Sequence, residues 1–227
     1  MKKIVIDKEL AQIWEGEIIL LNVEFTVAEI KRNFESLFNE KLKFLKIDLT
    51  NPDSSVLRKQ VLDNLKATFK KMPNMDPSRY RPASEALLKR MDKPFPRINA
   101  FVDINNLLSV WTGIPLGLYD KIKIESEELY YRWGFKNENY ISLSGLEKSA
   151  DGKLVLSDSK GVIGSPVADS NRAIVSSDSR ELMVVGYLPF FVKNSDTMQL
   201  INLMVETFTQ LLTINELTNE LISNELE

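Results

Sequence analysis

Apolar and polar positions follow two different periods along this chain, and the clearest helical period lies near its middle. Phe101, Ile104, Leu108 and Trp111 recur at spacings of three and four, which predicts a helix beginning after Arg97. Asn99, Asp103 and Asn106 fall at i, i+4 and i+7 on the opposite side. Asn and Asp are poor helix formers because their side chains compete for backbone hydrogen bonds. Three of them in line point to a pocket or a buried polar network.

The remaining pattern predicts an α+β chain of layered helices with mixed and antiparallel sheets. Lys3–Ile6 and Glu17–Phe25 read as strands, and Val27–Lys46 as a helix with Val27, Ile30, Phe34, Leu37 and Phe38 on one side. A second helix is expected over Ser54–Lys71, capped by Ser54 or Asp53 after Pro52. Met72–Pro82 carries three prolines and reads as a loop, with a short helix from Pro82 to Met91. Further strands fit Lys121–Ile124, Glu128–Trp133, Lys153–Leu156, Ala173–Ser176 and Glu181–Phe190. Asp151-Gly152 is the expected turn of a hairpin in Asp151–Gly161. From Asp196 to Glu225, Leu200, Met204, Phe208, Leu211, Leu212 and Leu221 suggest one long amphipathic helix, packed on the core or offered to a partner or second copy. The expectation is a single domain over 1–227, with an N-terminal α/β part over 1–74 and the C-terminal helix over 191–227. Trp111, Trp133 and Tyr131 are expected in the core.

Composition narrows the chemistry. At 227 residues and 44% hydrophobic, the chain can bury a sizeable core. It contains neither cysteine nor histidine. That excludes disulfides, thiolate chemistry, a Ser-His-Asp arrangement and a histidine-ligated zinc. Proton transfer is left to Asp, Glu, Lys, Tyr, water or the substrate. No clustered acidic motif suggests a metal, and no cofactor is expected. Asp7 and Glu9 interrupt the N-terminal apolar stretch, and no apolar run is long enough to cross a bilayer, so the expectation is a cytoplasmic protein.

The net charge of −3 is unevenly spread. Residues 191–227 hold one lysine against six acids, whereas residues 58–97 hold 11 Lys/Arg against 4 Asp/Glu. Such a basic block can hold a phosphate backbone, or it can be a solvated helix face. It lacks interleaved aromatic residues and so does not read as a base-stacking platform.

A second constellation is GVIGSPVADSNR, Gly161–Arg172. Gly161 and Gly164 permit close backbone approach, and Pro166 fixes the next turn. Ser165, Asp169, Ser170, Asn171 and Arg172 then sit on a loop. Main-chain N–H groups near Gly164 and Ser165 could face an oxyanion, and Asp169 an ammonium or hydroxyl group.

The run Ile98-Asn99, Val102-Asp103, Asn106, then Gly113, Pro115, Tyr119 and Asp120 resembles the editing domain of the phenylalanyl-tRNA synthetase beta chain. RPASEALLKRM (Arg81–Met91) and GVIGSPVADSNR look more like free-standing relatives of that domain. The resemblance covers residues 75–190 and implies the α+β fold of that domain. It also implies hydrolysis of mischarged aminoacyl-tRNA, with tRNA or aminoacyl-tRNA as partner. Asp103, Asp169 and Ser165 would be catalytic; Arg97, Asn99, Asn106, Tyr119, Gly164, Asn171, Arg172 and Glu85 would bind substrate. Synthetase beta chains carry histidine where this chain has Gly117, and Asp169 stands nearest to their hydroxyl-recognising acid. That departure favours the alternative, a non-catalytic module for tRNA or a free amino acid. Structural roles stay open for Asp103 as a loop brace, Arg97 as an ion-pair partner, Tyr119 and Asp120 as a turn, and Glu85 as a helix-face charge.

Overall fold

The computed structural model describes residues 1–13, 18–51, 55–71, 81–189 and 194–223. Among these residues two four-stranded sheets carry the fold. The first has the order β1 (Lys3–Ile6), β4 (Glu128–Trp133), β7 (Leu154–Asp158), β8 (Gly161–Gly164), with β1 parallel to β4 and the rest antiparallel. The second is antiparallel throughout: β10 (Leu212–Ser223), β2 (Ile18–Ile30), β9 (Glu181–Pro189), β3 (Leu116–Asp120). A two-stranded ribbon, β5 (Asn139–Ile141) with β6 (Glu147–Ser149), stands apart. Residues 182–188 of β9 are buried throughout, which explains their near-continuous apolar run in an interior strand.

Among the described residues six helices accompany the sheets: α1 (Lys8–Ile13), α2 (Phe34–Thr50), α3 (Ser55–Lys71), α4 (Ala83–Leu88), α5 (Ala100–Thr112) and α6 (Asn194–Leu211). The expected central helix is α5. Phe101, Ile104, Leu107 and Leu108 are fully buried on its apolar side, each such burial contributing about 1.5–3 kcal/mol. Gly113 ends it in the left-handed conformation, φ 78°, with its N–H on Ser109 O.

Several expectations are corrected. The C-terminal helix stops at Leu211; Leu212–Ser223 is a strand paired to β2 over nearly its whole length. Val27–Ile30 ends β2 instead of opening a helix, and α2 begins at Phe34. The strands expected at Lys121–Ile124 and Ala173–Ser176 are replaced by 3₁₀ turns at Lys121–Lys123 and Asn171–Ala173. Asp120 and Ser170 cap those turns by accepting from Ile122 N and Arg172 N, the competition that Asp and Ser offer to a ladder. The β7–β8 hairpin turns at residues 159–160 rather than at Asp151-Gly152. The expected cap at Asp53 or Ser54, and the loop over residues 72–80, lie outside the described residues.

Tyr131 is buried, and Trp111 and Trp133 pack against the core. Among the described residues no helix is long and apolar enough to cross a membrane.

Candidate functional site

The glycine loop after β8 meets β3 through a chain of hydroxyl groups. Tyr119 OH donates to Asp169 Oδ1 at 2.7 Å and lies 2.7 Å from the Tyr187 hydroxyl. Because the one Tyr119 O–H points at Asp169, Tyr187 is the donor to Tyr119. Asp169 also accepts from the backbone N–H groups of Leu118 and Ser165, so its carboxyl group ties β3 to the loop.

Glycines make this arrangement possible. A Cβ at Gly117 would overlap the Tyr119 hydroxyl and ring, and one at Gly164 would overlap Tyr119 Oη and Asp169 Oδ1. Tyr119 therefore folds back over Gly117, its neighbour two residues earlier on the same strand face. Burial raises Asp169 to about 7, against the hydrogen bonds from Tyr119, Leu118 and Ser165, which pull it down. Burial and the Asp169 charge hold the Tyr119 hydroxyl well above its ordinary value, and Tyr187 rises for the same two reasons.

The polar stripe of α5 does not face this network. Asn99 is the N-cap, its Oδ1 accepting from Val102 N at 3.0 Å. Buried Asp103 accepts from Ile98 N at 2.8 Å and from Arg97 Nε at 2.6 Å. Arg97 also reaches Glu35 on α2 with two nitrogens, and its guanidinium lies 4.6 Å from the Phe38 ring centroid. Arg97, Asn99 and Asp103 thus brace the entry to α5 and line an open groove against α2. Asp103 shares no hydrogen-bond partner with Asp169. Asn106 is half-buried. Asn105, which the periodicity did not single out, is buried with Nδ2 on Leu116 O.

Other predicted residues are committed locally. Ser165 Oγ donates to Ala168 O at 2.9 Å and accepts from Ala168 N and Val167 N, so its hydroxyl closes a turn. Arg172 forms a two-pronged ion pair with Asp158, at 2.8 and 3.0 Å, and donates to Gly161 O. Burial opposes the charge of Asp158, but the hydrogen bonds from Arg172, Glu125 and Lys160 hold it below the usual carboxylate range. Asn171 is exposed. Glu85 is buried and ringed by Lys89 (3.0 Å), Lys66 (3.3 Å) and Arg81 (3.9 Å). Burial works against its charge, yet Lys89 and Lys66 keep its carboxyl below the ordinary value.

What the glycine loop does border is a cleft of about 230 Å³ between the β5–β6 ribbon and β7. Ser165 and Ala168 form one wall, Val155 and Tyr140 the floor and side, and Lys148 and Lys153 the rim. Tyr140 OH donates to Ala168 O at 3.0 Å. Burial, then the charge of Lys148, lowers the Lys153 ammonium, whose Nζ donates to Ser149 O. Asp169 follows Ala168 of this wall in the chain. Tyr140, Tyr187 and Lys148 escaped the sequence reading because they come from strands with ordinary patterning, and Lys153 because it stands in the bend before β7. Among the described residues no group of His, Cys, Asp or Glu is arranged to hold a metal.

The B3/4 domain family matches residues 69–204. Among curated proteins, no sequence matches the chain. An N-terminal fragment of the phenylalanyl-tRNA synthetase beta subunit from Pyrococcus horikoshii is similar at 14% identity, with a TM-score of 0.45. That alignment covers 99% of this chain and 54% of the fragment, so the chain spans about half the length of that structure.

Proposed function

The chain belongs to the B3/4 domain family, and we propose that it is a tRNA-binding module whose cleft beside the glycine loop receives the aminoacylated end of the RNA without hydrolysing it. The observation that carries this reading is the Tyr119–Asp169 contact over Gly117 and Gly164. It occupies the space beside the glycine loop with the chain's own tyrosine and saturates the acid best matched to substrate recognition. Asp103 and Ser165, the other residues put forward for catalysis, are engaged in a helix brace and a turn.

The cleft supplies what binding needs. Lys148 and Lys153 offer two cations for a terminal phosphodiester, and Val155 and Val167 give an apolar wall for a side chain. Tyr140 supplies an aromatic side. Reversing one rim charge with Lys153→Glu weakens aminoacyl-tRNA binding at least tenfold in this account; unchanged affinity in the folded variant rejects the cleft.

One observation favours the second reading, hydrolysis. An acid at about 7 is suited to accept a proton near neutral pH, and Asp169 would then activate water once Tyr119 swings away. Amino-acid release above the spontaneous rate, abolished by Asp169→Asn, selects that reading.

A further inference from the structure

Resting on the tRNA-binding reading, we propose that the exposed face of α3 and α4 is the track for the RNA phosphate backbone, running into the cleft along the glycine loop. Lys59, Lys66 and Lys70 stand at i, i+7 and i+11 on α3, which places them on one stripe. Lys66 reaches across to Glu85 on α4, so that stripe abuts Arg81 and Lys89, and exposed Arg90 follows Lys89 in the chain. Six cations are therefore gathered on and beside this helix pair.

Its charge is not cancelled internally. Glu85 is one buried carboxylate shared by Lys66, Arg81 and Lys89, which leaves that cluster net positive. Lys59, Lys70 and Arg90 are exposed and form no ion pair among the described residues. Asp63 is the acid on the α3 stripe, exposed between Lys59 and Lys66. A surface of this sign and extent attracts a polyanion by displacing its counterions.

Position connects the surface to the cleft. Ala83 N, at the start of α4, donates to Pro166 O at 3.0 Å. Pro166 lies between Ser165 and Val167, both of which line the cleft wall. A strand whose phosphates lie on α4 is thus led to the mouth where its terminus would enter. Most of α3 precedes the span that the B3/4 family matches, so Lys59 and Lys66 extend the track beyond that span while Lys70, Arg81, Lys89 and Arg90 lie within it.

The test is the salt dependence of tRNA affinity for the full chain carrying Lys70→Glu and Arg90→Glu. A charge-matched control carries Lys3→Glu and Lys160→Glu, on the other sheet. The track predicts at least a tenfold loss of affinity near 100 mM salt, and a drop of about 2 in the slope of log affinity against log salt. The control keeps both values within a factor of about two. Equal affinity and slope in wild type and the α3–α4 variant, with tRNA still bound, overturns the track while leaving the cleft reading intact. Failure of wild type to bind any tRNA overturns both.

Discussion

The hydroxyl of Tyr119 stands 2.7 Å from Asp169 Oδ1 in a space bounded by two glycines, so strand β3 and the glycine loop are joined by a tyrosine–carboxyl contact. That contact spans fifty residues of sequence and sets the properties on which the following predictions rest.

Gly117 and Tyr119 are energetically coupled. Gly117→Ala places a methyl group against a fully buried ring and costs about 2 kcal/mol, as overpacking does. In a Tyr119→Ala background the ring is gone and the added methyl is nearly neutral. A double-mutant cycle by urea denaturation reads the difference. Additive costs would mean the ring does not occupy that space.

Asp169 makes stability depend on pH with a definite sign. Burial raises its folded value to about 7 from an ordinary 3.8. The stability it contributes is therefore full below about pH 4 and is lost as pH climbs through 7. Asp169→Asn lacks that titration, so stability relative to wild type shifts in the variant's favour by a few kcal/mol between pH 4 and pH 8. Urea midpoints for the two proteins across that range check it, and a constant offset contradicts it.

Asp103 and Arg172 act on the fold. Asp103→Ala frees Ile98 N and Arg97 from a buried carboxylate and costs about 2 kcal/mol. Arg172→Ala leaves the wholly buried Asp158 side chain without its cation and costs about 3 kcal/mol. Both variants, kept below their unfolding transitions, retain wild-type affinity for aminoacyl-tRNA. Selective loss of affinity with unchanged stability would return them to the site.

Local pattern carried the fold where local forces decide it. Lys3–Ile6 and Glu128–Trp133 are strands at their expected boundaries, because Ile, Val, Leu and Tyr suit a pleated, half-buried surface. Asn99 and Gly113 bound α5 through capping chemistry present in the residues themselves. Leu212–Ser223 misled because Leu212 and Leu221 read as a continuation of the helical spacing of Leu200, Met204, Phe208 and Leu211, while pairing with β2 nearly two hundred residues away makes it a strand. The site was harder for the same reason. Gly164 and Asp169 were visible as a turn and an acid, but their meeting with Tyr119 and Tyr187 depends on two strands packing across the loop.

The most direct measurement compares equilibrium binding of aminoacylated and uncharged tRNA while following, in the same samples, the amino acid that remains attached. The account predicts tighter binding of the charged form and loss of its amino acid at the spontaneous rate. Equal binding of the two forms, or accelerated release that Asp169→Asn abolishes, would contradict it.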